Sequence, residues 1–552
     1  MEVFMKKTII LFFIALCVIT PVFAGGGRDR GDAPGVAAGT GVLPPGQSVS
    51  QSRDITAGVT VDFTTMDPMD TSDTLSGGLQ RLMMDGLFGF DEQMNLLNLL
   101  ATGYDANATA NEYTIYLRRG ISFSDGTPWN ADALIVNIEK WADKSLALRR
   151  TAFLSDVLGR WEKVDNYTVK IFLVQPFGAF VNSLAHPACL IMSPVQIAAG
   201  VRACAEQPVG TGQYRFVEWV RGDRLVIELN RNWWGYDPAF TDGKPLAEPD
   251  AGFRTITFRP VPEGATRIAM VQSGGAHIIW TVPKMNVAAL RNDPNISVGV
   301  DTSLVAWYFF MNNQKKPFDD KRVRQALNYA LDKDAYLAVV AYGIGNIPAS
   351  SQGPNTQFAT LHTPYPYDLG RARSLLAEAG YPNGFRTVLY GSNTSDNQIA
   401  GEFFRQQMAQ IGVEVELRLM ESALINQRII GASGPGSQVE VEMFMGGWSS
   451  STGDSDWGLR PVYATESPPP LNYNISYYSN PEVDALLRQA LGSANPDIRR
   501  EAYRKAQEII WDDAPVVFRM TDMNTWATSS KIINVSIFPD GQINLRAGRM
   551  RP

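Results

Sequence analysis

The chain of 552 residues is too long for one hydrophobic core, so its length predicts two or three domains. Its composition, with 45% hydrophobic and 19% charged residues, is typical of an ordinary globular protein. The formal net charge of −7 argues against a nucleic-acid or anionic-membrane partner, and no run of basic residues interleaved with aromatic ones reverses that argument.

The N-terminus has the three parts of an export signal. Lys6 and Lys7 precede a short apolar run, which ends at small residues around Ala24. The run is too short to span a bilayer, for which about 20 residues are needed. Residues 1–24 are therefore predicted to be a signal peptide that is removed after Ala24. Residues 25–54 are rich in Gly, Pro, Ala and Ser and are predicted to be a flexible leader or tether.

The three cysteines have different expected roles. Cys17 lies in the apolar run with a weak likeness to a lipoprotein processing site, but Leu16 fits poorly immediately before a modified cysteine. Lipidation at Cys17 is therefore the less favoured alternative to simple cleavage. Export would leave Cys189 and Cys204 in an oxidising compartment, where a disulfide and two buried thiols are both open alternatives.

Ordered structure is predicted to begin near Ile55 with a first strand. Further along, residues 113–117 alternate apolar and polar side chains at the period of a half-buried strand. Asn130 then stands where a helix N-cap belongs, and Leu134, Ile138 and Trp141 fall on one helical face. This segment therefore predicts an α/β unit.

The second half of the chain alternates helices and strands. A helix capped by Asp319 or Asp320 is expected to bury a stripe of apolar side chains. A second helix should end at Gly380. A third helix is expected within 495–515. The buried stripe of the first of these helices comprises Val323, Ala326, Leu327, Ala330 and Leu331. Strands are expected at 413–420 and 441–447. The pattern predicts an α/β fold with mixed sheets.

No recognisable catalytic or metal-binding motif is present. His186, His277 and His362 lie far apart, without the spacing of metal ligands. The glycine-rich segment 431–437 lacks the strand–GK[ST]–helix context of a phosphate-binding loop, and no nucleophile elbow appears. The sequence therefore predicts no enzyme activity, no cofactor and no metal.

Several longer strings resemble the peptide-type (family 5) extracellular solute-binding proteins of ABC importers, in order and at the usual spacing. They occupy residues 64–91, 113–141, 208–219, 311–333, 377–385 and 503–515. Within that family the chain is most similar to the glutathione-binding members, through residues 73–80, 177–188, 443–457 and 461–470.

The resemblance implies a two-lobed periplasmic-binding-protein fold of the peptide-binding type, with an extra subdomain and a hinge between the lobes. Lobe 1 is expected to comprise 55–306 plus 520–552, and lobe 2 to comprise 307–519. It also implies a periplasmic or cell-surface monomer that closes on a small peptide, with glutathione favoured. The permease and ATPase subunits would be separate chains. A general di- or oligopeptide binder, a haem binder and a ligand-sensing receptor subunit remain alternatives. An exported hydrolase, which ligand turnover would reveal, is a further one.

The loop 446–457 is the first candidate for ligand contact, because it follows a strand of an open α/β sheet. Trp448, Ser450, Ser451 and Asp456 are its candidate residues, and a surface turn stabilised by its own side chains is the alternative. Dipeptide-binding relatives use an aspartate at the position of Ser451 to hold the peptide's amino group. The serine favours glutathione, whose ammonium group lies elsewhere.

Other candidates come from both predicted lobes. Arg150 aligns with a basic residue of the glutathione-binding relatives, and a guanidinium suits a carboxylate, although a solvated helix end is the alternative. Trp307 stands where the resemblance leads us to expect an arginine, whereas the next residue, Tyr308, matches the glutathione-binding relatives. The remaining predicted contacts are Thr74, Leu75, Tyr308, Ser392 and Asn393.

Overall fold

The computed structural model describes residues 53–71, 73–241, 243–248 and 251–551, except for the side chains of Thr151 and Ala152. The predicted signal peptide, Cys17 and nearly all of the predicted leader 25–54 lie outside these residues. The first described strand begins at Asp54, one residue before the predicted start near Ile55.

The strands are of ordinary length except for β12 and β16. They are β1 (Asp54–Val59), β2 (Phe88–Phe90), β3 (Leu96–Asn98), β4 (Ala101–Ala106), β5 (Glu112–Leu117), β6 (Leu158–Asp165), β7 (Thr168–Leu173), β8 (Tyr214–Val220), β9 (Arg224–Leu229), β10 (Thr255–Pro260), β11 (Ile278–Trp280), β12 (Ile296–Met311), β13 (Arg386–Ser392), β14 (Glu414–Met420), β15 (Met443–Ser449), β16 (Val516–Ser529), β17 (Ile532–Ile533), β18 (Ser536–Ile537), β19 (Ile543–Asn544) and β20 (Arg549–Met550).

The helices alternate with the strands. They are α1 (Thr74–Met83), α2 (Ala131–Ala142), α3 (Thr151–Ser155), α4 (Phe180–Leu184), α5 (Pro194–Ala198), α6 (Val201–Glu206), α7 (Gly264–Ser273), α8 (Lys284–Leu290), α9 (Lys321–Ala330), α10 (Lys333–Val340), α11 (Leu369–Glu378), α12 (Ser395–Ala409), α13 (Ser422–Ile425), α14 (Ser455–Tyr463), α15 (Pro481–Leu491) and α16 (Pro496–Asp513).

One large mixed sheet organises the chain. Its ten strands run in the order β14-β13-β15-β12-β16-β11-β1-β10-β9-β8. The pairs of β13 with β14 and β15, and of β1 with β10 and β11, are parallel, whereas β12 and β16 are antiparallel partners. A separate antiparallel sheet has the order β4-β5-β7-β6. The structure therefore confirms the predicted α/β fold with mixed sheets.

Different hydrophobic clusters occupy the two ends of the large sheet. One cluster extends from Ile55 to Leu304 and takes in Ile532 to Leu545 from the C-terminal segment. Along β12, the alternate residues Tyr308 and Phe310 enter a second cluster, while Phe309 and Met311 enter a third on the opposite face. The long strands β12 and β16 thus connect the first cluster to the other three, the fourth of which contains Ile296 and Ala527.

Local signals in the sequence match these elements closely. Asn130 caps α2, where its side-chain oxygen accepts a hydrogen bond from the Ala133 amide at 3.0 Å. Asp320 caps α9, and every residue of the predicted stripe is buried. The sequence pattern predicts one helix within residues 317–343, and this is wrong in one respect. The helix ends at Ala330, because Asp332 accepts the Ala335 amide and begins α10.

Cys189 and Cys204 are both buried and free, so the disulfide alternative is not realised. The Cys189 thiol donates to Ser183 O and the Cys204 thiol donates to Gln196 O. Across the described ranges, no helix is both long enough and apolar enough to cross a membrane.

Candidate functional site

The carboxyl ends of β13 and β15 meet at one edge of the large sheet. These strands are parallel neighbours through Leu389–Met443 and Tyr390–Phe444. Because an open α/β sheet presents its ligand crevice at such ends, this edge is the natural place for a site. The structure brings five of the predicted contacts to this edge: Ser392, Asn393, Trp448, Ser450 and Ser451.

The loop after β15 is held together by a buried ion pair. Asp454 is fully buried, and its Oδ1 accepts from the Asp456 amide at 2.8 Å and from Arg499 Nη2 at 2.7 Å. Burial raises the pKa of Asp454, and the positive charge of Arg499 opposes that rise. The pair joins the start of α14 to the first turn of α16.

The Asp456 carboxylate is also fully engaged. Its two oxygens accept from Arg460 Nε at 2.8 Å and from Arg460 Nη2 at 2.7 Å, in a bidentate arrangement one helical turn apart. A ligand contact at Asp456 would therefore compete with this ion pair. The predicted contact stays a prediction, with a structural role for Asp456 now visible beside it.

The two predicted serines of the loop differ in access. Ser450 is buried, and its hydroxyl has no hydrogen-bond partner among the described residues. The Ser450 hydroxyl packs closely against Gly458. A Cβ on Gly458 would be only 2.6 Å from Ser450 Oγ and 1.8 Å from Gln352 Oε1, so no larger residue fits there. Ser451, by contrast, is partly exposed. Ser451 is therefore the better placed of the two for a ligand.

Aromatic side chains line the loop and connect it to an earlier part of the chain. Trp448 Nε1 donates to Trp457 O at 2.6 Å, and the Trp448 ring lies 5.1 Å from that of Tyr473. The Trp457 ring packs edge-to-face against Phe153, with 5.8 Å between centroids. Phe153 in turn packs against His186 at 4.9 Å. An aromatic path thus runs from the loop to α3.

A polar cavity of about 110 Å³ lies nearby, between segments that are distant in sequence. Asn182 Nδ2 donates to Gln357 Oε1 at 3.2 Å across it, and the Gly178 amide donates to Leu491 O at 2.7 Å. The side chains on its wall include Tyr104, Tyr113, Asn182, Gln357, Phe358 and Arg499.

Arg499 was missed by the sequence analysis, although a signal was available. It is 4% exposed and continues the buried face of α16, four residues before Tyr503, which belongs to the same face as Ala506 and Ile510. An arginine on such a face needs a buried partner, because an unpaired buried charge is costly. The partner, Asp454, could not be identified from spacing.

Arg150 lies close to the start of α1. Its amide donates to Met69 O at 2.8 Å and its Nε donates to Thr71 O at 3.0 Å. Burial lowers the pKa of Arg150, and nearby Asp73 opposes the shift. Thr74 is exposed at the first position of α1, three residues after Thr71. The structure therefore places Arg150 and Thr74 in one neighbourhood.

Two predicted contacts lie in the core. Tyr308 is 2% exposed, and its hydroxyl donates to Ser351 O at 2.9 Å, an acceptor that it shares with Tyr463. Burial raises the pKa of Tyr308. Leu75 is buried in the first hydrophobic cluster. Both side chains therefore have structural roles, and their contact with a ligand stays a prediction.

The described part of the chain contains no group of three His, Cys, Asp or Glu side chains that could hold a metal ion. The features gathered at this edge are aromatic faces, small hydroxyl groups and backbone amides. Such groups bind an organic ligand by stacking and hydrogen bonding.

Comparison with known proteins gives consistent results. The family model "Bacterial extracellular solute-binding proteins, family 5 Middle" matches residues 95–468. Glutathione-binding protein GsiB of Pectobacterium atrosepticum is 38% identical, over 92% of this chain and 96% of that protein. GsiB of Escherichia coli (strain K12) is 36% identical, over 89% and 93%.

Solved structures show the same architecture. HbpA2 from Haemophilus parasuis superposes with a TM-score of 0.79 at 25% identity, covering 90% of this chain and all of that chain (100%). The periplasmic binding protein DppA from Helicobacter pylori, in complex with the peptide STSA, gives a TM-score of 0.70 at 25% identity, covering 89% and 98%. These likenesses confirm the predicted periplasmic-binding-protein fold.

Proposed function

The chain belongs to family 5 of the bacterial extracellular solute-binding proteins, and from that membership we propose that it captures a small peptide, with glutathione favoured, for an ABC importer. Capture is by closure of two lobes, without covalent change to the ligand. The proposed lobes comprise 55–306 plus 520–552 and 307–519. The proposal includes a monomer outside the cytoplasm that meets a permease and ATPases on separate chains.

The observation that carries the proposal is a pair of contacts that α14 and the segment around Gln357 make with the earlier part of the chain. The Trp457–Phe153 ring contact and the Asn182–Gln357 hydrogen bond each join one proposed lobe to the other. A ligand at the carboxyl ends of β13 and β15 would therefore be enclosed from both sides. Enclosure is what a permease needs in order to distinguish loaded from empty protein.

The charges of the loop favour glutathione over ordinary dipeptides. An α-ammonium group needs a carboxylate within reach, and position 451 has a serine. Asp456 is engaged by Arg460, and Asp454 is buried against Arg499. No carboxylate of this loop is thus available to a dipeptide's ammonium group. The γ-linked glutamate of glutathione places its ammonium group elsewhere and adds a second carboxylate.

Calorimetric titration of residues 25–552 tests the proposal directly. The protein should first be unfolded and refolded to remove any carried ligand, and then titrated with reduced glutathione, oxidised glutathione, Ala-Ala and haem. We expect binding of glutathione and none of Ala-Ala; a micromolar Kd corresponds to about −8 kcal/mol. If only Ala-Ala or only haem releases heat on titration, that molecule replaces glutathione as the proposed ligand. Silence with every ligand would refute glutathione as the ligand.

A further inference from the structure

Arg519 is a buried arginine that the fold holds without a hydrogen-bonding counter-ion. It is 6% exposed, and neither its Nε nor its Nη1 has a hydrogen-bond partner among the described residues. Its guanidinium carbon lies 5.3 Å from the ring centre of Trp307, 5.0 Å from that of Phe309 and 5.7 Å from that of Tyr336. Three aromatic faces thus surround a positive charge.

A β-bulge places this side chain. Along the β12–β16 ladder, Trp307 pairs with Met520 and Tyr308 pairs with Phe518, so Arg519 is the extra residue between two consecutive pairs. Bulges of this kind redirect one side chain and are frequent beside functional sites. Trp307 also pairs with Gly447 on β15, the residue before Trp448. Arg519 therefore lies at the edge of the sheet that carries the candidate site.

The acidic residue nearest along the strand does not neutralise Arg519. Asp522 Oδ1 accepts from Lys284 Nζ at 2.5 Å, and Asp522 Oδ2 accepts from Trp307 Nε1 at 2.9 Å. Both oxygens are thereby engaged. Aromatic faces attract a guanidinium, and the Tyr336 hydroxyl also lies close to Arg519, but none of these groups carries a negative charge. The buried Nε and Nη1 donors of Arg519 have no hydrogen-bond partner among the described residues, and a carboxylate matches the planar geometry of the guanidinium.

We propose that Arg519 is a specificity-determining residue that receives a carboxylate of the bound peptide. Trp307 is the one partly exposed ring of the three, so its displacement would open the guanidinium toward the candidate site. The class of ligand selected is a small peptide with a free carboxylate at the end directed to β12 and β16. This inference rests on the proposed function and adds the group that recognises one end of the ligand.

The test compares Arg519→Met with wild type against two ligands, glutathione and the same peptide with its glycine carboxylate converted to an amide. Methionine keeps the apolar stem and removes the charge. If the glycine carboxylate is the one received, Arg519→Met should weaken glutathione binding at least about tenfold, which corresponds to 1.4 kcal/mol or more, and should leave affinity for the amide unchanged. A second analogue, in which the α-carboxylate of the γ-glutamyl residue is converted to an amide, tests the opposite orientation of the ligand. If that carboxylate is the one received, Arg519→Met should leave the affinity for this analogue unchanged.

Two controls separate this inference from the proposed function. Arg386→Met, at an exposed position on β13, should bind every ligand as wild type does. Arg519→Lys keeps the positive charge but lacks the planar pair of donors, so it should bind glutathione more weakly than wild type. If Arg519→Met fails to fold, Arg519→Lys takes its place in the test. If wild type binds no peptide, the proposed function fails. If wild type binds glutathione but Arg519→Met is equally weakened for all three ligands, or unchanged, the role of Arg519 is overturned.

Discussion

Lys333 provides a quantitative test of the environment inside the second half of the chain. This lysine, at the first position of α10, is 4% exposed and has no salt bridge among the described residues. Its Nζ donates to Asn328 O at 2.8 Å and more weakly to Tyr365 O at 3.4 Å. Burial lowers the pKa of Lys333 from its ordinary value of 10.5 to about 7.

The sign of the effect on stability follows from proton linkage. Between pH 7 and 10.5 the unfolded chain carries a proton at Lys333 that the folded protein has largely released, so folding becomes more favourable as pH rises. Below pH 7 Lys333 is protonated in both the folded and the unfolded state, and the folded protein bears the full cost of burying its charge. With 1.36 kcal/mol per pKa unit, the whole span is about 5 kcal/mol, and the rise from pH 7 to pH 9 is about 2 kcal/mol.

Urea unfolding of wild type and Lys333→Met at pH 7, 8 and 9 measures this contribution. The variant should be the more stable protein at pH 7, and the difference between the two should shrink by about 2 kcal/mol by pH 9. Lys505→Met, on the exposed side of α16, controls for removal of any lysine and should follow the wild-type slope. Parallel pH profiles for wild type and Lys333→Met would refute the reasoning.

Three other changes test the site and its support. Arg499→Met leaves Asp454 buried and unpaired and should lower the free energy of unfolding by about 3–5 kcal/mol in urea; a loss below about 1 kcal/mol would show that the pair is not buried in solution. Ser451→Asp supplies the missing carboxylate and should raise calorimetric affinity for Ala-Ala at least about tenfold, whereas Ser449→Asp should not; equal effects would remove position 451 from the site. Asn130→Ala removes the cap of α2 and should cost about 1 kcal/mol in thermal or urea unfolding, and no change would mean that the cap is not formed.

The candidate site has a charge arrangement that the sequence could not reveal. The carboxylates of the loop after β15, Asp454 and Asp456, are each taken up by an arginine, and one of those arginines lies on a different helix. Arg519, whose Nε and Nη1 have no hydrogen-bond partner among the described residues, lies on β16, which β12 separates from β15. The two carboxylates of this segment are therefore neutralised, while Asp396 in the first turn of α12 is an exposed acidic residue near the same edge.

Short-range signals determined much of the fold from the sequence alone. The alternation of β5, the Asn130 cap of α2 and the buried stripe of α9 depend on residues within one strand or a few helical turns of each other. The sequence also predicted a strand over 441–447 before the candidate loop, and the structure extends that strand to Ser449. The family resemblance then supplied the fold class, which the comparisons confirm.

Only the tertiary structure decided the contacts between distant segments. The pairing of Arg499 with Asp454, the core position of Tyr308 and the bulge that presents Arg519 all depend on strands and helices that are far apart in sequence. Even the end of α9 was decided by competition, because Asp332 caps a new helix where an apolar pattern continues. Periodicity fixes which face of an element is apolar, but the partner that covers each face, and the register at which it lies, is set by the packing of the whole chain.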